Sequence, residues 1–197
     1  DSKIQIYLKK IKGSIFKDVY GLCRDLGIKR LGVESKNITL AEYNKFKDAF
    51  KCEVKVIGVF DIVESLRQIK TEEEIQKIKQ AIKITADAFK FLKTIIRSGG
   101  SEFETAVALE HFIRKKGAKL AFDAIIASGV NSVYPHAKVS QRKFQLNEPV
   151  TVDLGVDFEG YKSDLTRVFF LGKIPPKVKQ VYTIVLASQN RAIQKIK

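Results

Sequence analysis

Asp153 and Asp164 are the side chains whose type and spacing point most directly to chemistry, since they flank a turn symmetrically within VTVDLGVDFEGYKSDLTRVFF, residues 150–170. Val150, Val152, Leu154, Val156 and Phe158 alternate with Thr151, Asp153, Gly155 and Asp157, the period-2 pattern of a strand with one apolar and one polar face. Asp157-Phe158-Glu159-Gly160 reads as the turn and Tyr161 to Phe170 as the returning strand. With the hairpin centre between Phe158 and Glu159, Asp153 and Asp164 become cross-strand neighbours, their Cβ atoms roughly 4.5–5.5 Å apart. Two bare carboxylates at about 5 Å repel by about 3 kcal/mol at an effective dielectric of about 20. A shared proton, a cation such as Lys162 or Arg167, or a divalent metal ion held by hard oxygen donors would offset that charge. Spacing alone fits equally well a hairpin whose acids are merely solvated.

The flanking residues favour the metal. The run V-T-V-D-L-G-V-D-F-E-G-Y-K-S-D-L-T-R resembles the metal-binding segment of the pita-bread metallopeptidases, in particular the Xaa-Pro dipeptidase (prolidase) and aminopeptidase P branch with its D-x-G, G-Y and S-D-x-T-R pattern. Upstream, Phe122-Asp123, Ser128-Gly129, Asn131-Ser132 and Pro135-His136-Ala137 fall in a stretch similar to the F-D-x-I-x-A-S-G-x-N-S-x-x-P-H-A segment of the same branch. Leu66-Arg67 to Lys70, followed by Glu72-Glu73-Glu74-Ile75, more weakly resembles the helix start that opens its catalytic domain. The resemblance is good over residues 62–197 and loose over residues 1–61.

It implies an α+β fold: a creatinase-like N-terminal α/β piece, residues 1–61, followed by the first half of a pita-bread catalytic domain, residues 62–197. It implies two divalent ions, with Asp153 a ligand of one and Asp164 bridging both; Mn²⁺ or Co²⁺ is favoured and Zn²⁺ admissible. His136 would contact substrate and the tetrahedral intermediate, and Phe122 and Ile125 would line an apolar pocket for a proline ring, though ordinary core packing explains those two equally well. The family also uses one His and two Glu placed downstream, and no Asp or Glu follows Asp164 here. A chain that opens at Asp1, contains no methionine and ends at Lys197 is therefore expected to be incomplete at both ends and inactive by itself. The full-length protein is expected to be a homodimer.

Read without its motif, His136 is as easily surface decoration as a working imidazole; Pro135 restricts Tyr134 to extended backbone and stiffens the loop that presents it. His111 reads as helix surface, and the resemblance gives Asp123 no metal role.

Composition bounds the rest. With 45% hydrophobic residues and no apolar run near the roughly 18 residues of a membrane span, the chain reads as a cytoplasmic globular protein without a targeting segment. Cys23 and Cys52 read as reduced thiols, and although Asn37-Ile38-Thr39 formally matches a glycosylation acceptor, Thr39 to Glu42 reads better as a helix capping box. The net charge of +14 is spread, with 15 basic and 9 acidic residues in 1–70 against 21 and 13 in 71–197, which argues against a nucleic-acid face. Only the stretch after Asp164 is purely basic.

The elements that must position the site follow from periodicity and caps. Helices are expected over Ser14 to Asp25 and Leu40 to Phe50, strands over Arg30 to Glu34 and Glu53 to Ile57, and a linker over Gly58 to Lys70. A long helix opens at the box Thr71 to Glu74 and buries Ile75, Ile78, Ile82, Thr85, Phe89, Leu92 and Ile96. A second box, Ser101 to Glu104, starts a helix closed by Gly117, then a strand runs from Leu120 to Ala127. Pro175-Pro176 opens a last helix with Val178, Val181, Tyr182, Val185, Leu186 and Ile193 on one side. The activity implied for the full-length protein is metal-dependent hydrolysis of Xaa-Pro bonds in proline-containing peptides. The alternatives are a non-catalytic pita-bread binding module, against which Asp153, Asp164 and His136 stand intact, and a methionine aminopeptidase, which S-D-L-T-R fits less well.

Overall fold

The structure is a computed structural model that describes residues 13–196. Residues 1–12, assigned above to the N-terminal domain, lie outside the described residues. The chain divides into two compact units, one ending at Ile69 and the other beginning at Lys70.

The first unit contains α1 (Ile15–Asp25), β1 (Arg30–Glu34), α2 (Leu40–Phe50), β2 (Lys55–Val59) and α3 (Ile62–Gln68). β1 and β2 pair in parallel, and Cys23, Phe50 and Val54 form the buried centre on which Val19, Tyr20 and Phe46 pack. Thr39 and Glu42 make the expected capping box of α2. β2 starts two residues later than expected, because Lys51 and Cys52 take positive φ and Glu53 N–H donates to the Phe50 carbonyl, spending that stretch on a turn. The expected linker contains the end of β2 and the short α3, none of whose residues is buried.

The second unit contains α4 (Glu72–Ile95), α5 (Glu102–Lys115), β3 (Lys119–Leu120), β4 (Ile125–Ser128), β5 (Pro149–Leu154), β6 (Val156–Phe158), β7 (Tyr161–Lys162), β8 (Leu165–Phe170) and α6 (Pro176–Lys195). Capping boxes at Thr71/Glu74 and Ser101/Glu104 open α4 and α5 as expected. The strands form two antiparallel sheets, β4-β5-β8 and β3-β6-β7. Two expected strands are therefore split: 120–127 across residues 121–124, and 150–158 at Gly155. Val150, Val152, Leu154 and Val156 nonetheless keep their alternation and are fully buried with Leu92, Leu109, Ile113 and Ile126.

The buried stripe of α4 is Ala81, Ile84, Thr85, Ala88, Phe89 and Leu92, while Ile82 is 53% exposed. The 3-4 spacing holds, but the small Ala81 and Ala88 turn inward where the helix lies on β6 and β7. α6 begins with Pro in its first turn as expected, yet none of its residues is buried, and Val181, Tyr182, Val185, Leu186 and Ile193 are exposed.

Candidate active site

The hairpin register differs from the expected one. Phe158 pairs with Tyr161 and Asp157 with Lys162, so the two-residue loop is Glu159-Gly160, with φ of 50° and 87°. Positive φ at both loop positions is the primed turn that matches strand twist, and it moves the centre one residue along. Asp157, read as part of the turn, is instead buried in β6, where its carboxylate accepts a hydrogen bond from Gly160 N–H (2.9 Å) and pairs with Lys119 (3.7 Å). Asp153 consequently faces Thr166 rather than Asp164 across β5 and β8. Because side chains alternate with period 2, this slip of two residues keeps Asp164 on the face expected for it.

Thr166 Oγ1 donates to Asp153 Oδ1 at 2.5 Å, fixing one carboxylate oxygen. On the other side of β5, Ile125 pairs with Asp153, so Ile125, Asp153 and Thr166 form one cross-strand row. Asp164 follows Ser163 where the hairpin passes from one sheet to the other. Ser163 is buried: its N–H donates to the Val156 carbonyl (2.9 Å), and its hydroxyl lies 2.6 Å from Thr85 Oγ1 on α4 and accepts from Val156 N–H (3.1 Å). That anchor fixes the backbone carrying Asp164. A Cβ on Gly155 would lie 2.4 Å from the Ser163 carbonyl oxygen and 2.6 Å from the Phe122 ring, so the close approach of these strands under Phe122 requires glycine.

Asp153, Asp164, His136, Phe122 and Ile125 all line one cleft of ≈ 910 Å³, together with Asp123 and Lys138. Phe122 is 37% exposed and Ile125 partly buried, so neither is closed core. His136 is exposed on the loop that follows the 3₁₀ turn Gly129–Val133. Tyr134 is extended before Pro135 as expected, and Ala137 N–H donates to its carbonyl at 3.2 Å. His111 is on exposed helix surface.

Sequence reasoning missed Glu102. Its side chain is 0% exposed, and its carboxylate accepts from Ser128 N–H (2.7 Å) and Oγ (2.8 Å), Asn131 Nδ2 (3.2 Å), and Ser140 N–H (3.2 Å) and Oγ (2.6 Å). Burial pushes its pKa up, but the hydrogen bonds from Ser140, Ser128 and Asn131 together outweigh it and hold the group below the ordinary carboxylate value. The available signal was a second Glu in a capping box that needs one, followed by a hydroxyl- and amide-rich loop.

Among the described residues, neither Asp153 nor Asp164 has an ion-pair partner, and the Arg167 guanidinium donates to the Thr166 carbonyl instead. Hard carboxylate donors suit a divalent ion in kind. They fall short in number, since among the described residues no group of three His, Cys, Asp or Glu is gathered closely enough to hold a metal.

The profile of metallopeptidase family M24 matches residues 76–197. The chain belongs to this family. An Xaa-Pro dipeptidase of Pyrococcus furiosus is 33% identical over 100% of this chain and 56% of its own length. The solved Xaa-Pro dipeptidase from Bacillus anthracis superposes with a TM-score of 0.89 at 38% identity, covering 95% of this chain and 52% of that one. An X-Pro aminopeptidase from Thermotoga maritima gives 0.84 at 38% identity, covering 94% and 53%. The M24 chain described here thus spans about half the length of the curated relatives it matches. Its fold is a partial pita-bread domain, with an α/β unit before it.

Proposed function

We propose that this M24 chain carries part of the active site of a metal-dependent peptidase that cleaves Xaa-Pro bonds. The observation that carries the reading is the joint presence of Asp153, Asp164 and His136 in one cleft, with Phe122 and Ile125 beside them. Asp153 and Asp164 would hold the metal, manganese or cobalt by preference with zinc admissible, and further donors would complete the set. When bound, divalent ions supply Lewis acidity that activates water and polarises a scissile carbonyl. His136 donates a hydrogen bond where negative charge develops on the carbonyl oxygen or leaving nitrogen. Phe122 and Ile125 receive the proline ring, excluding water from one side of it. The reading extends to a cytoplasmic, homodimeric full-length enzyme in which Cys23 and Cys52 stay free thiols.

In the full-length protein, Asp153→Asn and Asp164→Asn should lose bound metal and turnover together, whereas His136→Ala should keep the metal and lose turnover. Metal analysis beside steady-state kinetics on an Xaa-Pro dipeptide and a longer Xaa-Pro peptide reads all three variants. Full metal occupancy in the Asp164 variant, or normal turnover without His136, refutes the assigned roles. A wild-type protein that binds such peptides without cleaving them is the binding module instead.

A further inference from the structure

Glu102 is a buried acid with no part in the chemistry above, and all of its hydrogen-bond donors belong to one loop. Ser128 closes that loop at one end and Ser140 at the other, with Asn131 between them, and His136 lies on the span they bound. The run is reciprocal, because Phe103 N–H and Glu102 N–H at the start of α5 donate to the Ser140 and Arg142 carbonyls. The middle of the loop has no apolar anchor: Val130, Val133 and Tyr134 are 71%, 71% and 66% exposed. It is stiff within itself, through the 3₁₀ turn, Ser132 Oγ donating to the Gly129 carbonyl (2.6 Å) and Pro135. Beside Ser140, Val139 packs on the core, so the stiff span takes its position from its two ends and from Asn131.

We propose that Glu102 is a positioning residue for His136: by fastening Ser128, Asn131 and Ser140 to the first turn of α5, it holds the loop so that the imidazole stands in the cleft of Asp153 and Asp164. The proposal rests on His136 acting at that cleft. Among the described residues no cation pairs with the Glu102 carboxylate itself. Arg142 donates from Nε to the Ser128 carbonyl (3.1 Å) and from Nη2 to Glu148 (2.7 Å), not to Glu102. Detaching the loop would leave the carboxylate buried without donors, which is far more costly than losing an exposed contact. An amide in its place turns an NH₂ group toward N–H and O–H donors.

The test compares Glu102→Gln with Glu104→Ala, which weakens the α5 cap without touching the loop. By NMR hydrogen exchange on the 197-residue chain, Glu102→Gln should lower protection of the Ser128 and Ser140 amides by about tenfold or more, the effect of one charged hydrogen bond. Val150 and Val152 should keep theirs, and Glu104→Ala should show no such selective loss. In the full-length enzyme, Glu102→Gln should reduce kcat at unchanged metal content, and the double variant with His136→Ala should be no slower than His136→Ala alone. Unchanged exchange at Ser128 and Ser140, or losses that multiply in the double variant, overturns the proposal. If Glu102→Gln does not fold, Ser140→Ala, which removes one hydroxyl donor and keeps the carboxylate, reads the same quantities. Exchange is measured whether or not anything is hydrolysed, so failure of the peptidase reading appears separately, as absent wild-type turnover.

Discussion

Thr166 bonds the Asp153 carboxylate and Glu102 bonds the loop that carries His136, and each makes a distinct prediction. The Thr166 hydroxyl holds Asp153 from the facing strand. Thr166→Val keeps the shape and removes that bond, so metal affinity of the full-length protein should fall by about 10–100-fold, as for other residues that orient a ligand, with little change in unfolding midpoint; titration calorimetry reads the first and denaturant unfolding the second. Glu102 predicts a pH dependence. Its folded pKa lies below the ordinary 4.5, so its contribution to stability is complete above that value and is lost as pH falls through the folded pKa. The stability gap between wild type and Glu102→Gln should be flat from neutral pH down to about 4.5 and close below it, as chemical denaturation at stepped pH would show. The roles of the two residues differ in how far the sequence disclosed them. Thr166 stands inside a recognisable motif, whereas Glu102 acts on residues 26 and 38 positions away, a separation that no local pattern encodes.

Gly155 marks where one strand becomes two. Adding a methyl group there drives Cβ into the Ser163 carbonyl oxygen and the Phe122 ring. Gly155→Ala should therefore cost about 1–3 kcal/mol by overpacking and alter the Phe122 side of the cleft, measured as a lower denaturant midpoint with shifted Phe122 resonances. On α4, Leu92→Ala should cost about 2–5 kcal/mol because Leu92 is fully buried, while Ile82→Ala should stay within about 0.5 kcal/mol because Ile82 faces solvent. Paired thermal and denaturant melts would show which stripe is buried. Capping boxes at Thr39, Thr71 and Ser101 were readable because three or four adjacent residues satisfy one another. The inward place of Ala81 and Ala88, with Ile82 turned out of an otherwise expected stripe, was not, since alanine is equally at home inside and outside and only packing selects it.

For the chain taken alone, the two-carboxylate donor set predicts weak divalent-metal binding and no measurable hydrolysis of Xaa-Pro peptides, checked by calorimetry and a peptidase assay; robust activity would refute it. The exposed Val181, Ile184, Val185 and Leu186 of α6 also make a sizeable apolar face, and such faces associate. Sedimentation should show concentration-dependent association that Ile184→Lys with Val185→Glu relieves. The alternation through Val150 to Val156, the helix caps, the family and the residue types available for metal chemistry follow from local sequence, because backbone periodicity and short motifs act over a few residues. Three-dimensional packing settled the partner of Asp153, the split of the sheet at Gly155, the gathering of Phe122, Ile125 and His136 around one cleft, and the burial of Glu102. Each of these depends on turn torsions or on contacts between distant segments, where one residue of slip or one close approach changes which side chains meet.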